Sequence, residues 1–350
     1  MSQAATYPWL TSPNARTGNY NGMETAVSFG NPAAELEALS TGCGVFSLAW
    51  RSRIKVTGKD RVRWLHNMVT NNVRDLPLNR GKYNFVLNAQ GRILGDMYIF
   101  NRGESLVLET DASQVDTLLN TMKRFIIMDK VEMVSAGESV TALGVCGPKS
   151  EAVLKQAGVD AASMEPLEIK EISFDGVAIV LVRGPEQRPG WFEIWIDSDK
   201  AQACWQRLTQ AGTQPVGSEA LEMWRVLRGI PNYGQDIRDR DLPQETEQLQ
   251  ALTFTKGCYI GQEIVERIRA RGQVHRKFTG FIFDGQIPAI GKYESEGRAV
   301  AEVTTTATVP AAGANKNIGL GYVRREALSA GPKVNLNGIE AAVTDLPFEI

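Results

Sequence analysis

The chain has 350 residues, 43% hydrophobic and 22% charged, with 33 Gly and 15 Pro. That is apolar material for two or three cored domains, and it excludes a disulfide-stapled miniature, a disordered chain or a low-complexity fibre. Forty acidic against 38 basic side chains leave a formal charge of −2, so no global cationic field draws the chain to nucleic-acid phosphate or anionic lipid. No apolar run approaches the roughly 18 residues a membrane helix needs, and Met1 to Gly30 lacks a signal-peptide layout, so the chain reads as soluble and cytoplasmic.

The first 30 or so residues, rich in Ser, Thr, Asn, Gly and Pro, predict an arm ordered only by docking, with regular structure from near Arg53. Arg53 to Val56 predicts a strand, Gly58 a turn, and Lys59 to Val69 a helix with Val62, Leu65, His66 and Val69 on one face. Strands Tyr83 to Asn88, Arg92 to Phe100 and Leu106 to Glu109 follow, separated by turn-forming residues. Val115, Leu118, Leu119, Met122, Phe125 and Ile126 then recur at helical spacing, and a strand near Val131 closes a β-α-β-β-β-α-β unit. A fainter copy of the order comes next: strand Val140 to Val145, helix Lys149 to Gln156, strands Glu168 to Phe174, Val177 to Val182 and Trp191 to Ile196, and helix Lys200 to Ala211. Two such units with mostly antiparallel sheets make the fold α+β. Ser218 to Leu227 predicts a further helix, and short strands with Gly and Pro turns from about Gly272 predict a separate small β-barrel.

Four cysteines without a CxxC pair, and only His66 and His275 beside them, provide no structural metal site. Cys43, Cys146 and Cys204 read as small buried apolar residues. Cys258 sits in Lys256-Gly257-Cys258-Tyr259-Ile260-Gly261-Gln262-Glu263, ahead of the helix-prone Ile264 to Arg271. Its glycines permit a tight loop, and an ammonium at Lys256 close to the sulfur favours thiolate over thiol. The alternative is that Cys258 packs inward while Lys256 extends outward.

Three further features stand out. In the strand Arg92 to Phe100, alternation places Asp96 with Leu94, Tyr98 and Phe100; an acid in such apolar company needs a specific partner, and desolvation gives a carboxylate the basicity required of a general base near a ligand amine. A wetted strand-edge Asp is the alternative. Arg225 borders the apolar face of its helix and either bridges to a carboxylate of the fold or binds an anionic ligand group. The loop after it, Arg228 to Asp236 with Tyr233, suits close approach to a ligand. Glu193 alternates with Trp191 and Trp195, an arrangement that could grip the amino-amide edge of a flat heterocycle, with Glu186 in the preceding loop competing for that role. Arg267, Arg269, Arg271, Arg276 and Lys277 read as a solvated helix-to-strand face that could also attract a polyanionic ligand tail or RNA.

Together these residues resemble the YgfZ family of folate-binding proteins, relatives of the glycine-cleavage aminomethyltransferase (T-protein). The resemblance rests on Lys256 to Glu263 with Arg267, Gly272 and Arg276, on Asn88-Ala89-Gln90-Gly91-Arg92-Ile93-Leu94-Gly95-Asp96, and on Arg228-Gly229-Ile230-Pro231 through Pro243-Gln244-Glu245, across about Gly44 to Arg325. It implies an aminomethyltransferase-like fold: an N-terminal arm over 1–44, two intertwined α/β subdomains around a folate-admitting channel over 45–271, and a C-terminal β-barrel over 272–350. It implies tetrahydrofolate or a derivative as cofactor, and iron-sulfur enzymes or assembly proteins as partners, tRNA-modifying cluster enzymes among them. In that reading Cys258 is the functional thiol beside Lys256, and Asp96 matches the carboxylate T-proteins use near the reacting folate nitrogens. Arg225, Tyr233, Trp191 and either Glu193 or Glu186 are the folate-binding candidates; Gly184 to Gly190 resembles the T-protein pterin-binding loop only loosely. The rival is a tetrahydrofolate-dependent aminomethyltransferase, with Asp96 as base and a lipoyl-bearing carrier as donor. Direct DNA and membrane partners are not expected, and the charge balance disfavours direct RNA binding.

Overall fold

The computed structural model describes residues 12, 14–272, 274–295, 297–311, 313–329 and 331–349; the docking-arm expectation for residues 1–11 lies outside them. Regular structure begins well before Arg53. Strands β1 (Arg16–Tyr20) and β2 (Met23–Ser28) pair antiparallel across Asn21-Gly22, both at positive φ, the Asn-Gly hairpin signal that apolar periodicity passes over. Helix α1 (Pro32–Thr41) follows, with the Asn31 side chain accepting from the amides of Ala33 and Ala34. Buried Glu35 on this helix accepts from Ser28 Oγ, from Phe29 N and, at 2.8 Å, from Gly217 N far along the chain.

The chain divides into two compact units, one formed by Met1–Leu65, Val73–Tyr83 and Met97–Leu221, the other by His66–Asn72, Asn84–Asp96 and Glu222–Ile350. Each predicted α/β repeat has its own sheet. The later repeat gives β9 (Val140–Cys146), β10 (Ile169–Phe174), β11 (Val177–Arg183) and β12 (Phe192–Asp197). With β3 (Gly44–Ser47) and β13 (Gln214–Pro215) these are ordered β10-β11-β12-β9-β3-β13, antiparallel but for the last pair. Helices α4 (Ser150–Ala157) and α5 (Ala201–Gln210) pack Leu154, Cys204 and Leu208 on Val45, Leu143, Leu181, Phe192 and Ile194 of that sheet. Each large apolar side chain so buried contributes about 1.5–3 kcal/mol.

The earlier repeat gives β4 (Arg51–Thr57), β5 (Gly81–Leu87), β6 (Ile93–Asn101), β7 (Leu106–Asp111) and β8 (Glu132–Ser135), ordered β5-β6-β7-β4-β8. Helices α2 (Arg61–Met68) and α3 (Val115–Lys123) belong to the same stretch of chain. Along β6 the pleat is legible in the burial: Ile93, Gly95, Met97 and Ile99 are buried, whereas Leu94, Asp96 and Tyr98 are partly exposed. The face carrying Asp96 is therefore the more accessible of the two as far as Tyr98, and Phe100 at its end is buried.

Helix α6 (Ser218–Leu227) has the predicted bounds, and α7 (Gln262–Arg271) is flanked by Gly261 and Gly272, both at φ 83°. The C-terminal sheet runs β15-β16-β17-β14-β19-β18, from β14 (Arg276–Phe283), β15 (Gly291–Ser295), β16 (Arg298–Ala311), β17 (Ala314–Arg324), β18 (Lys333–Leu336) and β19 (Ile339–Thr344). Its end strands β15 and β18 approach one another, so the sheet is nearly closed. Two of these strands are long rather than short, spanning 14 and 11 residues. The pairing of β16 with β17 shifts register between Val303 and Thr305, a bulge that aims both Thr304 and Thr305 at Asp236. No helix among the described residues is long and apolar enough to cross a membrane.

Candidate functional site

In the second unit Asp96 and Tyr233, both singled out in the sequence, act on one another. Burial and then the Asp96 carboxylate, ahead of Asp239 and Asp241, push the Tyr233 phenol well above its ordinary pKa, so it stays protonated and available as a donor. Asp96 is half-buried; it is neither sealed in apolar surroundings nor a fully wetted edge residue.

The Tyr233 loop is braced by Arg225. Its guanidinium forms a fork with Glu222 and donates at 2.6 Å to both Ile230 O and Asp236, and at 3.3 Å to Thr305. Asp236 is fully buried and also accepts from Asn232 N, Thr304 and Thr305. Of the two roles open to Arg225, bridging to carboxylates of the fold is the one its geometry shows: it positions the loop, and its donors are taken up within the protein.

The octapeptide is arranged opposite to the alternative in which Cys258 packs inward and Lys256 extends outward. Lys256 is buried, and its ammonium donates to His66 O, Val69 O and Asn71 O at 2.6, 2.5 and 2.8 Å, at the C-terminal end of α2, with the ring of Tyr259 beneath it at 4.8 Å. Three carbonyls take up its N–H donors, so Lys256 anchors the loop. Cys258 is exposed, whereas Cys43, Cys146 and Cys204 are buried. Beyond it Gly261 turns the chain tightly over Asn88; a Cβ there would lie 2.6 Å from Asn88 O. Arg276, expected on a solvated face, is instead drawn into ion pairs with Asp241, Glu245 and Glu302. Arg267 and Arg269 are exposed as expected.

In the first unit Glu193 is buried between its two indoles, with Trp191 Nε1 donating to one carboxylate oxygen at 3.1 Å and Trp195 Nε1 to the other at 3.0 Å. Each oxygen keeps a further lone pair. The indoles therefore orient the carboxylate through their N–H edges. Glu186, the other candidate, lies exposed on its loop. Arg53 on β4 is the residue sequence reasoning missed. It is 4% exposed, stacks 4.7 Å over Trp195, and its Nε and Nη2 are buried with no hydrogen-bond acceptor among the described residues. Burial lowers its pKa from the ordinary arginine value, while Glu109 and Glu193 pull it back up. The only sequence signal was a second arginine, two residues after Arg51, at the head of an apolar strand. Arg51 meets Glu109 in a bidentate pair and Asp111 at 2.6 Å; Arg53 has no equivalent fork.

Residues 6–256 match the GCVT N-terminal domain family, well over half of the chain. The chain belongs to that family. Among its GCVT relatives, the aminomethyltransferase of Bacillus subtilis (strain 168) is 28% identical over 95% of each chain, and that of Geobacillus kaustophilus is 27% identical over 95% of this chain and 94% of its own. The crystal structure of glycine cleavage system aminomethyltransferase T from Bartonella henselae superposes with a TM-score of 0.87 over 99% of this chain and 97% of the other, at 20% identity. The fold is thus aminomethyltransferase-like, including the nearly closed C-terminal sheet. These likenesses establish the T-protein side of the resemblance read from the sequence; its narrower YgfZ side rests on the octapeptide.

Proposed function

We propose that the chain binds a reduced folate and transfers a one-carbon group onto it, as a tetrahydrofolate-dependent aminomethyltransferase. The observation that carries this reading is the extent of the likeness, since relatives named aminomethyltransferase align over 95% of the chain and not over the GCVT stretch alone. The side chains suit a flat, amide-edged ligand. Glu193 offers two oriented oxygens to an amino-amide edge, and Arg53 holds buried N–H groups whose acceptor a ring carbonyl would supply. In the reaction a carrier's sulfur-bound aminomethyl carbon becomes bonded to two folate amine nitrogens, while ammonia and the carrier thiol leave. Of the two protons the folate amines lose, Asp96 takes one from an attacking nitrogen and passes it to the departing ammonia, and the other leaves on the carrier thiol. Purified protein given an aminomethyl-loaded carrier and tetrahydrofolate forms methylenetetrahydrofolate, and Asp96→Asn slows this by about 10²–10⁴-fold with folate still bound. Folate binding without any product refutes the transfer reaction.

A second reading is favoured by the exposure of Cys258 on an anchored loop while the other three cysteines are buried. It makes the protein a folate-binding accessory factor in iron-sulfur cluster assembly or repair. Cells lacking the protein then lose cluster-enzyme activity, which wild type restores and Cys258→Ala does not. Full rescue by Cys258→Ala removes the thiol from the mechanism.

A further inference from the structure

The nearly closed C-terminal sheet carries a concentration of positive charge around one cavity of about 310 Å³, lined by Arg240, Arg276, Lys292, Glu302, Tyr322 and Arg324. Glu302 already serves three guanidiniums: Arg238 through both its oxygens, Arg240 at 2.7 Å and Arg276 at 3.1 Å. Arg276 is further held by Asp241 at 2.7 Å and Glu245 at 3.0 Å, and lies 4.4 Å over the ring of Tyr322. With Arg238, these five cations face three carboxylates, leaving two positive charges uncompensated. Arg324 and Lys292 form no ion pair with any described residue, although Lys292 is in register with Glu302 across the ladder.

The register sharpens the point. Arg276 on β14 and Arg324 on β17 are direct partners in the antiparallel pairing. Like charges placed opposite one another weaken a sheet. Tyr322 and Arg276, both locked by their partners, form a rigid floor, and guanidinium forks suit oxyanions.

We propose that this cavity binds a small, multiply charged oxyanion, a phosphate ester or a polycarboxylate, between the free cations Arg324 and Lys292 and the braced guanidinium of Arg276. The bound anion offsets the repulsion built into the ladder. The site rests on its own cations and is tested with anions that carry no pterin ring, so its failure and that of folate binding are distinguishable.

The test uses the full chain at low salt, titrated calorimetrically with inorganic pyrophosphate and with tricarballylate, in wild type and in the Lys292→Gln/Arg324→Gln double variant. Wild type binds one or both probes, with affinity falling as salt rises, and the preferred probe names the source. The double variant binds at least tenfold more weakly, and its melting temperature without ligand does not fall, since its loss relieves a like-charge pair. Should the double variant misfold by near-ultraviolet circular dichroism, Arg324→Gln alone takes its place with the same expectation. Failure of both anions to bind wild type, or equal binding by the variant, overturns the proposal.

Discussion

Gly91 and Ile264 meet so closely that no side chain fits between them: a Cβ on Gly91 would lie 2.7 Å from Ile264 Cβ. This contact locks the turn before β6 onto α7, and with Gly261 against Asn88 O it interleaves two segments that the sequence shows 170 residues or so apart. The strand leading to Asp96 and the loop presenting Cys258 therefore brace each other. Because Gly91 also sits at φ 71°, Gly91→Ala combines a left-handed backbone with overpacking and costs about 2–4 kcal/mol. Urea denaturation reads this directly; an unshifted midpoint contradicts the interlock.

Thiol accessibility gives a second check. Cys43 and Cys204 are pushed up to about 12 by burial, and Cys146 is buried as well. A charged aromatic disulfide reagent at pH 8 titrates one thiol per native chain, none in Cys258→Ala, and four after unfolding in guanidinium. More than one fast thiol in the native protein is the contrary result.

Acid stability should follow the buried carboxylates. Burial raises Glu109, yet the Arg51 fork and Arg53 outweigh it, so its folded pKa is lowered from the ordinary value. Such a group contributes stability that is fully present above the unfolded carboxylate value, about 4.3, and is lost as pH falls through the lower folded value. The melting temperature of wild type is therefore expected to drop as pH descends below about 4. In Glu109→Gln it is lower at neutral pH, by an amount corresponding to about 3–5 kcal/mol, and the acid-induced fall is shallower. An unchanged pH profile in that variant assigns the acid lability elsewhere.

Arg53 separates function from stability. Removing a buried guanidinium whose Nε and Nη2 have no acceptor among the described residues relieves an unmet desolvation cost. Arg53→Met accordingly keeps wild-type stability within about 1 kcal/mol or exceeds it, while binding tetrahydrofolate at least tenfold more weakly. Equal affinity in the variant excludes Arg53 from ligand recognition.

Much of this architecture is legible in local pattern. The apolar recurrences behind α5 and α6 and the alternation of β6 lie where a periodic reading puts them, because each element buries one face, whereas α3 ends at Lys123 and leaves Phe125 outside it and exposed. What escapes such a reading depends on distant partners. Helix α1 is fastened through Glu35 to Gly217. Strand β16 holds Thr-rich, weakly alternating sequence that pairing with β15 and β17 orders. At the site, Asp96 and Tyr233 are recognisable as an unusual acid and a loop aromatic, but the burial of the Lys256 ammonium is not. It depends on three backbone carbonyls nearly 190 residues away, which no spacing rule reveals. Arg53 is invisible for the opposite reason, since it is defined by partners it lacks.

The most direct measurement is an equilibrium titration of the purified chain with tetrahydrofolate, followed through indole fluorescence. The account predicts a saturable one-to-one quench in wild type, because Trp191 and Trp195 both donate to the Glu193 carboxylate, and a loss of that quench in Glu193→Gln. No saturable binding up to millimolar folate, or an undiminished quench in Glu193→Gln, would contradict it.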